Sequence, residues 1–361
     1  MSDHPIDLLG LTVGELEDFF LSIGEPKYRA KQLFTQMHKG LCPDEISNFS
    51  AATKKKIAEH GYCHFPKIVT KLVSVIDGTV KYLFELHDGN CVESVVMRYE
   101  HGISICISTQ VGCRMGCRFC ASTIDGKVRD LCPSELLGQI IAASKDLGER
   151  IGGVVMMGIG EPLDNYDNVI RFLRLVGAEG GVNIGYRHIS LSTCGLVDKI
   201  YKLAEEELPI TLSISLHAAD DKTRSEIMPI NNRYPIGELL DACRDYFART
   251  GRRISFEYTL IAGKNDSPEA ALTLSEVLNG KLRTRTTTMP IHVNLIPVNK
   301  VEERDFTHSN KKAISRFADI LEKHGIRATV RRTLGSDINA SCGQLRRARA
   351  NQKDGATGET V

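Results

Sequence analysis

Strand-like and helix-like stretches alternate from residue 103 to residue 332, and this alternation constrains the fold more than any other feature of the sequence. The strand-like stretches are short and rich in β-branched residues, and the helix-like stretches repeat apolar residues at helical spacing. Such alternation predicts parallel strands joined by right-handed helical crossovers. The predicted strands cover residues 103–109, 154–158, 188–193, 211–216, 254–261, 292–298 and 327–332.

Six strand–helix units followed by a last strand predict an α/β fold built as a partial (β/α)6-type barrel. A doubly wound open sheet is the alternative, but no G-x-G-x-x-G sequence follows the first strand. In a barrel of parallel strands the chemistry is expected at the carboxyl ends of the strands.

Two smaller regions precede the alternating region. Helical patterns that stop at Gly24, Gly40 and Gly61 predict a helical accessory domain. Runs of β-branched residues separated by D-G turns then predict a β-rich bridge. The expected division is an accessory domain over 1–66, a bridge over 67–98, a barrel over 99–337 and a C-terminal segment over 338–361.

Composition limits the classes of function. The formal net charge is +1, so contact with nucleic acid would require local basic patches, or else these patches are solvated faces. The candidates are the lysines at 54–56 and the arginine pairs at 252–253, 331–332 and 346–347. No apolar run has the length of a membrane span and the acidic N-terminus does not resemble a signal peptide, so we expect a cytoplasmic protein without membrane association.

Three of the 11 cysteines stand in the pattern C-x3-C-x2-C directly after the first predicted strand. They are Cys113, Cys117 and Cys120, and in a cytoplasmic protein such a cluster indicates metal binding or catalysis rather than disulfides. A closed zinc site needs four ligands, and no histidine lies between Gly102 and Gly185. A [4Fe–4S] cluster held by only three thiolates would leave one iron open to a small molecule. Zinc and accidental spacing remain the alternatives.

This cysteine loop resembles that of the radical S-adenosylmethionine (SAM) enzymes, and Phe119 stands where that family usually has an aromatic residue. The resemblance implies that Cys113, Cys117 and Cys120 hold one [4Fe–4S] cluster. It also implies that the amine and carboxylate of SAM bind the open iron. Electron transfer from the cluster then cleaves SAM and yields a 5′-deoxyadenosyl radical, so that the cofactor carries the radical chemistry.

Further motifs of that family stand at successive strand ends. The sequence MGIGEP at 157–162 resembles the Gly-Glu motif, which implies that Gly160 and Glu161 meet the amino group of SAM. Alone, this motif would indicate only a turn, and a lone histidine is usually a core residue. The resemblance implies further SAM contacts from Ser192, Ser215, Leu216, His217 and Asn294.

Over nearly the whole chain the resemblance narrows to the RNA adenine methyltransferases of the radical SAM class. The matching stretches are CVESVV, CISTQVGCRMGCRFC, MGIGEPL, ISLST, SLHA, MPINNRYPI, HVNLIP and GSDINASCGQL. The resemblance implies that a first SAM methylates Cys342 and that a second SAM supplies the radical, so two SAM molecules are used per turnover. It further implies that Glu93 is the proton acceptor and that Cys106 releases the product as a Cys106–Cys342 disulfide.

The family has two branches. One methylates C2 of an adenosine in large-subunit (23S) rRNA and in tRNA beside the anticodon, and the other methylates C8 of the same rRNA adenosine and confers antibiotic resistance. Pro162 favours the C2 branch, because the resistance enzyme has alanine there. The expected partners are rRNA, tRNA, an electron donor and a disulfide reductant, and we expect a monomer. The rival hypotheses are C8 methylation, a radical SAM enzyme acting on a small molecule, and a non-catalytic iron–sulfur or zinc RNA-binding protein.

Overall fold

The computed structural model describes residues 5–283, 289–299, 303–338 and 345–346. The helices are α1 Val13–Ser22, α2 Tyr28–Met37, α3 Ala51–His60, α4 Pro133–Leu147, α5 Tyr166–Val176, α6 Val197–Glu205, α7 Asp221–Ile227, α8 Ile236–Thr250, α9 Pro268–Leu282 and α10 Lys311–Lys323. The strands are β1 Ile6–Asp7, β2 Gly61–Tyr62, β3 Lys67–Val73, β4 Val80–Glu85, β5 Cys91–Tyr99, β6 Gly102–Cys106, β7 Gln110–Gly112, β8 Lys127–Asp130, β9 Gly153–Met156, β10 Ile189–Thr193, β11 Thr211–Ser215, β12 Ile254–Leu260, β13 His292–Pro297 and β14 Arg327–Val330.

Ten strands form one sheet in the order β14-β13-β12-β11-β10-β9-β6-β5-β4-β3. The seven strands from β6 to β14 in this sheet are mutually parallel, and the six strand–helix units of the predicted partial barrel are all present. Among the described residues the sheet has two ends, at β14 and β3, and so it does not close.

Strand β6 is the junction between two kinds of pairing. It is parallel to β9 on one side and antiparallel to β5 on the other, so the predicted β-rich region extends the same sheet by β5, β4 and β3. The antiparallel strands therefore form a wall beside the first parallel strand. The sequence did not predict this continuity.

The three N-terminal helices form where the sequence predicts them. Helix α1 begins at a capping box in which Thr12 accepts from the Glu15 backbone and the Glu15 side chain accepts from the Thr12 backbone, and Ser50 caps α3 in the same position. Their buried apolar faces join the same hydrophobic core as the sheet.

Polar contacts tie the helices to the larger unit. Arg171 in α5 donates to the Gly10 carbonyl, and Lys145 in α4 donates to the Gly40 carbonyl. The Val182 N–H donates to Nδ1 of His38 at 3.1 Å. The division into four domains stays a prediction. Within the described residues we find no helix both long and apolar enough to cross a membrane.

Candidate active site

A cavity of about 580 Å³ opens at the carboxyl ends of the parallel strands. The structure brings most of the predicted site residues together in its lining: Cys106, Cys113, Cys117, Cys120, Gly160, Glu161, Ser192, Ser215, His217 and Asn294. Leu216, Glu93 and Cys342 are the predicted residues outside this set. The lining also includes the chain from Thr329 to Leu334, at and beyond the end of β14.

The cysteine loop is held by its own backbone and by neighbouring elements. The Cys113 N–H donates to the Gly126 carbonyl at 2.9 Å, and the Arg118 N–H donates to the Ile227 carbonyl at 2.9 Å. The Thr123 hydroxyl lies 2.9 Å from the Cys117 carbonyl and 3.0 Å from that of Cys120. These bonds fix where the three thiols enter the cavity.

The buried thiols are suited to a positively charged ligand. Burial raises the pKa of the Cys113 thiol to about 12, and burial together with the neighbouring thiols Cys120 and Cys113 raises that of Cys117 well above 9. Such thiols ionise when metal ions compensate the charge of the thiolates.

The three thiols of the cysteine loop line one cavity but do not converge on a single point. Among the described residues, no three His, Cys, Asp or Glu side chains converge as ligands of a single ion would. A [4Fe–4S] cluster takes each thiolate on a different iron, so three cysteines around one cavity fit it.

The Gly-Glu motif approaches the chain beside the cysteine loop. Gly160 has a φ of 109°, and a Cβ there would lie 2.7 Å from the Gln110 backbone nitrogen, so only glycine fits. Glu161 is buried, and its carboxylate accepts from the Cys194 N–H at 2.7 Å and from the Leu163 N–H at 3.0 Å. Burial raises the pKa of Glu161. The carboxylate is therefore fixed in orientation at the cavity wall.

His217 occupies a strained position at the end of β11, with a φ of 57°. Its Nδ1 accepts from the Thr259 N–H at 2.9 Å, and its carbonyl accepts from the Asn265 side chain at 2.7 Å. Burial first and Arg224 second lower the pKa of His217 to about 3. The ring is thus neutral with its proton on Nε2, and Phe119 of the cysteine loop packs edge-on against it at 4.9 Å.

Asn294 is oriented by a carboxylate that the sequence analysis did not single out. Its side-chain amide donates to Glu257 Oε2 at 2.7 Å, and its Oδ1 accepts from Thr329 at 3.4 Å. Glu257 also lines the cavity, and burial raises its pKa. Leu216 is buried in the core, and its carbonyl accepts from Arg224.

Arg224 in α7 is fully buried and braces two strand ends. Its guanidinium donates to the Leu216 carbonyl at 3.0 Å and to the Cys194 carbonyl at 2.8 Å. It therefore links the chain just beyond β10 to the chain just beyond β11, the strands that carry Ser192 and Ser215. No local signal distinguishes this arginine from one on a helix surface, and for Glu257 the only signal is a carboxylate within the apolar strand ISFEYTLI.

Cys106 lies on the antiparallel side of the cavity. It is buried at the end of β6, opposite Val95 of β5 and packed with Met97, Met157 and Leu334. Glu93 stands two residues before Val95 on the same face of β5. The Glu93 carboxylate accepts from the Arg346 N–H at 2.7 Å and pairs with Lys81 at 3.1 Å.

Cys342 lies outside the described residues. The described chain before it is anchored where Asp337 accepts from Ser74 and from the Val75 N–H, and the chain after it where the Arg346 N–H meets Glu93.

The candidate basic patches differ in their surroundings. Arg331 and Arg332 line the cavity, whereas Lys54 and Lys56 donate within the N-terminal region to the Asp44 carbonyl and to Glu25.

A partial barrel with three thiols, a Gly-Glu turn and polar groups around one cavity defines a radical SAM enzyme. Residues 107–274 match the family model described as the radical SAM superfamily. Residues 6–62 match the model described as the ribosomal RNA large subunit methyltransferase N-terminal domain.

Relatives of nearly full length give the particular family. The "Probable dual-specificity RNA methyltransferase RlmN" of Clostridium novyi is 52% identical over 94% of this chain and 98% of its own, and that of Clostridium perfringens (strain 13) is 51% identical over 96% and 98%. A crystal structure titled as a radical SAM methyltransferase from Sphaerobacter thermophilus matches with a TM-score of 0.88 and 40% identity, over 94% of this chain and 99% of that one. The chain belongs to the RlmN family of radical SAM RNA methyltransferases. Membership implies SAM and a [4Fe–4S] cluster as cofactors.

Proposed function

We propose that this protein methylates C2 of an adenosine in 23S rRNA and C2 of the adenosine beside the anticodon of tRNA. The observation that carries the proposal is that Cys106 and the three loop cysteines line one cavity. The relatives are named as probable dual-specificity RNA methyltransferases, and this supports two RNA substrates. Pro162 in MGIGEPL supports C2 over C8.

In this proposal Cys113, Cys117 and Cys120 hold the cluster. Gly160, Glu161, Ser192, Ser215, Leu216, His217 and Asn294 bind SAM. When bound, the cluster and SAM supply the one-electron chemistry that abstracts a hydrogen atom, which is needed because C2 of adenine is too electron-poor to attack a methyl cation equivalent. The neutral ring of His217 and the oriented amide of Asn294 offer hydrogen bonds without adding charge to the cavity.

The methyl group passes through the protein. Cys342 receives a methyl group from a first SAM, and the radical derived from a second SAM would take a hydrogen atom from that group so that its carbon bonds to C2. The unpaired electron left on the adduct would return to the cluster, and each turnover uses two SAM molecules. Glu93 accepts the proton of C2. Cys106 then attacks the sulfur of Cys342, the bond from that sulfur to the new methyl carbon breaks, and its electron pair takes up a proton.

The resulting Cys106–Cys342 disulfide needs two electrons from an external thiol reductant before the next turnover. An external electron donor reduces the cluster. We infer that the enzyme acts as a monomer in the cytoplasm, where such reductants are available.

Product analysis tests the function. The protein is reconstituted anaerobically, reduced with dithionite and incubated with SAM and unmodified transcripts of 23S rRNA or tRNA, and the digested nucleosides are separated by mass spectrometry. We expect 2-methyladenosine from both RNAs. The appearance of 8-methyladenosine would assign the chain to the C8 reaction, and 5′-deoxyadenosine without methylated RNA would favour a small-molecule substrate. Failure to form 5′-deoxyadenosine would leave only a binding protein.

A further inference from the structure

A fully buried ion pair stands in the antiparallel wall beside the cavity. Nζ of Lys81 on β4 lies 3.1 Å from Oε2 of Glu93 on β5, and the two side chains are only 1% and 2% exposed. The other site residues lie at the carboxyl ends of parallel strands, whereas Lys81 and Glu93 lie within antiparallel strands. The pairing of β4 with β5 is therefore what brings the two side chains together.

The register places this pair next to Cys106. Lys81 is opposite Val95, and Val95 is opposite Cys106, so the three lie in one cross-strand row on one face of the sheet. Glu93 is the next residue along that face of β5. The carboxylate and the ammonium thus lie on the face that carries the Cys106 thiol.

Stability alone does not explain such a pair. Two charges removed from water lose hydration that their mutual attraction repays only in good geometry, and apolar residues of similar volume often stabilise a fold more. Burial by itself favours the neutral form of a carboxyl group, whereas an adjacent ammonium favours the charged form. An ionised carboxylate held out of water is a useful proton acceptor.

Several other polar groups belong to the same face, according to the register of the strands. Glu85 on β4, Lys67 on β3 and Cys91 on β5 form another row, four residues along the strands from that of Lys81 and two beyond that of Glu93. From the C-terminal segment, the Arg346 N–H donates to Glu93 Oε1. Of the ion pairs between described residues, the one that involves Glu93 is made by Lys81.

We propose that Lys81 is the positioning residue of the proton acceptor, which rests on the proposed function. Its ammonium, 3.1 Å from Glu93 Oε2, holds the carboxylate on the face of the sheet that carries Cys106. During release of the product, the C2–H bond of the substrate breaks, the proton moves to Glu93 and the electron pair stays in the adenine ring. Lys81 keeps its proton throughout, and this step consumes no oxidant or reductant.

The test isolates the release step. Enzyme carrying S-methylated Cys342 is mixed anaerobically with SAM, reductant and 23S rRNA transcript, and the covalent enzyme–RNA species is followed in a single turnover from about pH 6 to about pH 9. In Lys81→Met we expect the species to decay about tenfold more slowly at neutral pH, because a buried carboxyl without its cation is partly neutral. The rate should recover as the pH rises. Lys81→Arg should restore most of the wild-type rate.

The controls separate charge from folding. Lys71→Met removes a lysine that pairs with Asp146 and lies one residue off the Lys81 row, so its pH profile should match wild type. If Lys81 acts through Glu93, adding Lys81→Met to Glu93→Gln should slow decay no further than Glu93→Gln alone. Should Lys81→Met not fold, Lys81→Gln takes its place in both comparisons.

A wild-type pH profile in the Lys81 variant, or a loss that adds fully to that of Glu93→Gln, would overturn the inference. A wild-type enzyme that never forms the covalent species would instead overturn the proposed function, so the two failures are distinguishable.

Discussion

The two halves of the ten-stranded sheet meet at β6 and face the same cavity. They differ in which part of each strand carries the predicted site residues. In the parallel half, the predicted cofactor residues stand at or just beyond the carboxyl ends of the strands, as Glu161, Ser215 and His217 do. In the antiparallel half, Lys81 and Glu93 stand within strands.

The difference follows from the geometry of the two pairings. Parallel strands bring all their carboxyl ends to one edge, where loops can supply many groups to one ligand. Antiparallel strands run in both directions and instead present alternate residues of a face. We infer that the parallel half generates the reactive species, and that the junction strand β6 and the antiparallel half supply the Cys106 thiol and the proton acceptor that complete the reaction.

The largest effect should come from disabling the parallel half. Cys117→Ala removes one of the three proposed cluster ligands, and we expect SAM cleavage to fall by at least about three orders of magnitude, because the cluster supplies the electron. Iron content, visible absorbance and 5′-deoxyadenosine formation measure this. Cys243→Ala, a buried thiol of α8 away from the cavity, is the control. Normal cluster absorbance in Cys117→Ala would contradict the assignment of the ligands.

Removing Cys342, the proposed methyl carrier, should leave the cluster intact and stop methyl transfer. In Cys342→Ala we expect a normal cluster but no methyl group on the protein, and RNA methylation lower by about three orders of magnitude because no other thiol substitutes. Mass spectrometry of the intact protein and of its peptides measures the methyl group. A methyl group on a different cysteine would show that the carrier has been assigned wrongly.

A smaller effect should follow from loosening one SAM contact. Glu257→Gln replaces the charged acceptor of the Asn294 amide, and a charge-assisted hydrogen bond contributes about 1.5 kcal/mol, so SAM should bind about tenfold more weakly. Equilibrium binding of SAM measures this, with unchanged cluster absorbance as a check. Glu276→Gln on the exposed face of α9 is the matched control. Equal affinities of the two variants would argue against the orienting role.

The last effect is on stability rather than on the reaction, and it concerns the attachment of the N-terminal helices. Burial lowers the pKa of His38 from 6.5 to about 4, so the unfolded chain takes up a proton before the folded protein does. The folded protein is therefore favoured while His38 is neutral in the unfolded chain as well. This contribution of His38 to the free energy of unfolding is complete above pH 6.5 and is lost as the pH falls toward 4. Near pH 5 the loss is about 2 kcal/mol.

His38→Gln keeps an acceptor for the Val182 N–H but does not titrate. The drop in the free energy of unfolding between about pH 7.5 and about pH 5, measured by urea denaturation, should therefore shrink by about 2 kcal/mol. His217 and His292, whose pKa values are lowered to about 3 and about 4, contribute to the part of the drop that remains. His60→Gln, at an exposed histidine of α3, is the control, and a change of similar size in both variants would contradict this explanation.

The alternation of the sequence was sufficient to predict the parallel half. All seven strands occur where expected. The main error is the C-terminal end of the first of them, which was predicted over residues 103–109 but is Gly102–Cys106. Beyond it, Thr109 bonds to the Ile159 carbonyl in the loop after β9, so the chain leaves the sheet to reach the cavity. Local periodicity cannot report such a contact between distant segments.

The candidate site was predictable where short motifs carry it. The three cysteines lie within eight residues of one another and Gly160 is next to Glu161, so each set forms a short motif that the sequence alone displays. Lys81 and Arg224 were missed because a charged residue in a strand or helix ordinarily indicates a solvent-facing position. Only the pairing of β4 with β5, or the packing of α7 below the strand ends, reveals that these charges are buried.

The most direct measurement of cooperation between the halves uses Cys106→Ala. The variant is incubated anaerobically with SAM, reductant and 23S rRNA transcript, and the protein is analysed by mass spectrometry after nuclease digestion, with Cys63→Ala as control. If Cys106 completes the reaction that the cluster begins, a nucleotide will remain covalently attached through Cys342 and 5′-deoxyadenosine will form without released 2-methyladenosine. Repeated turnover to 2-methyladenosine without any covalent RNA would contradict a resolving role for Cys106 at the junction of the two halves.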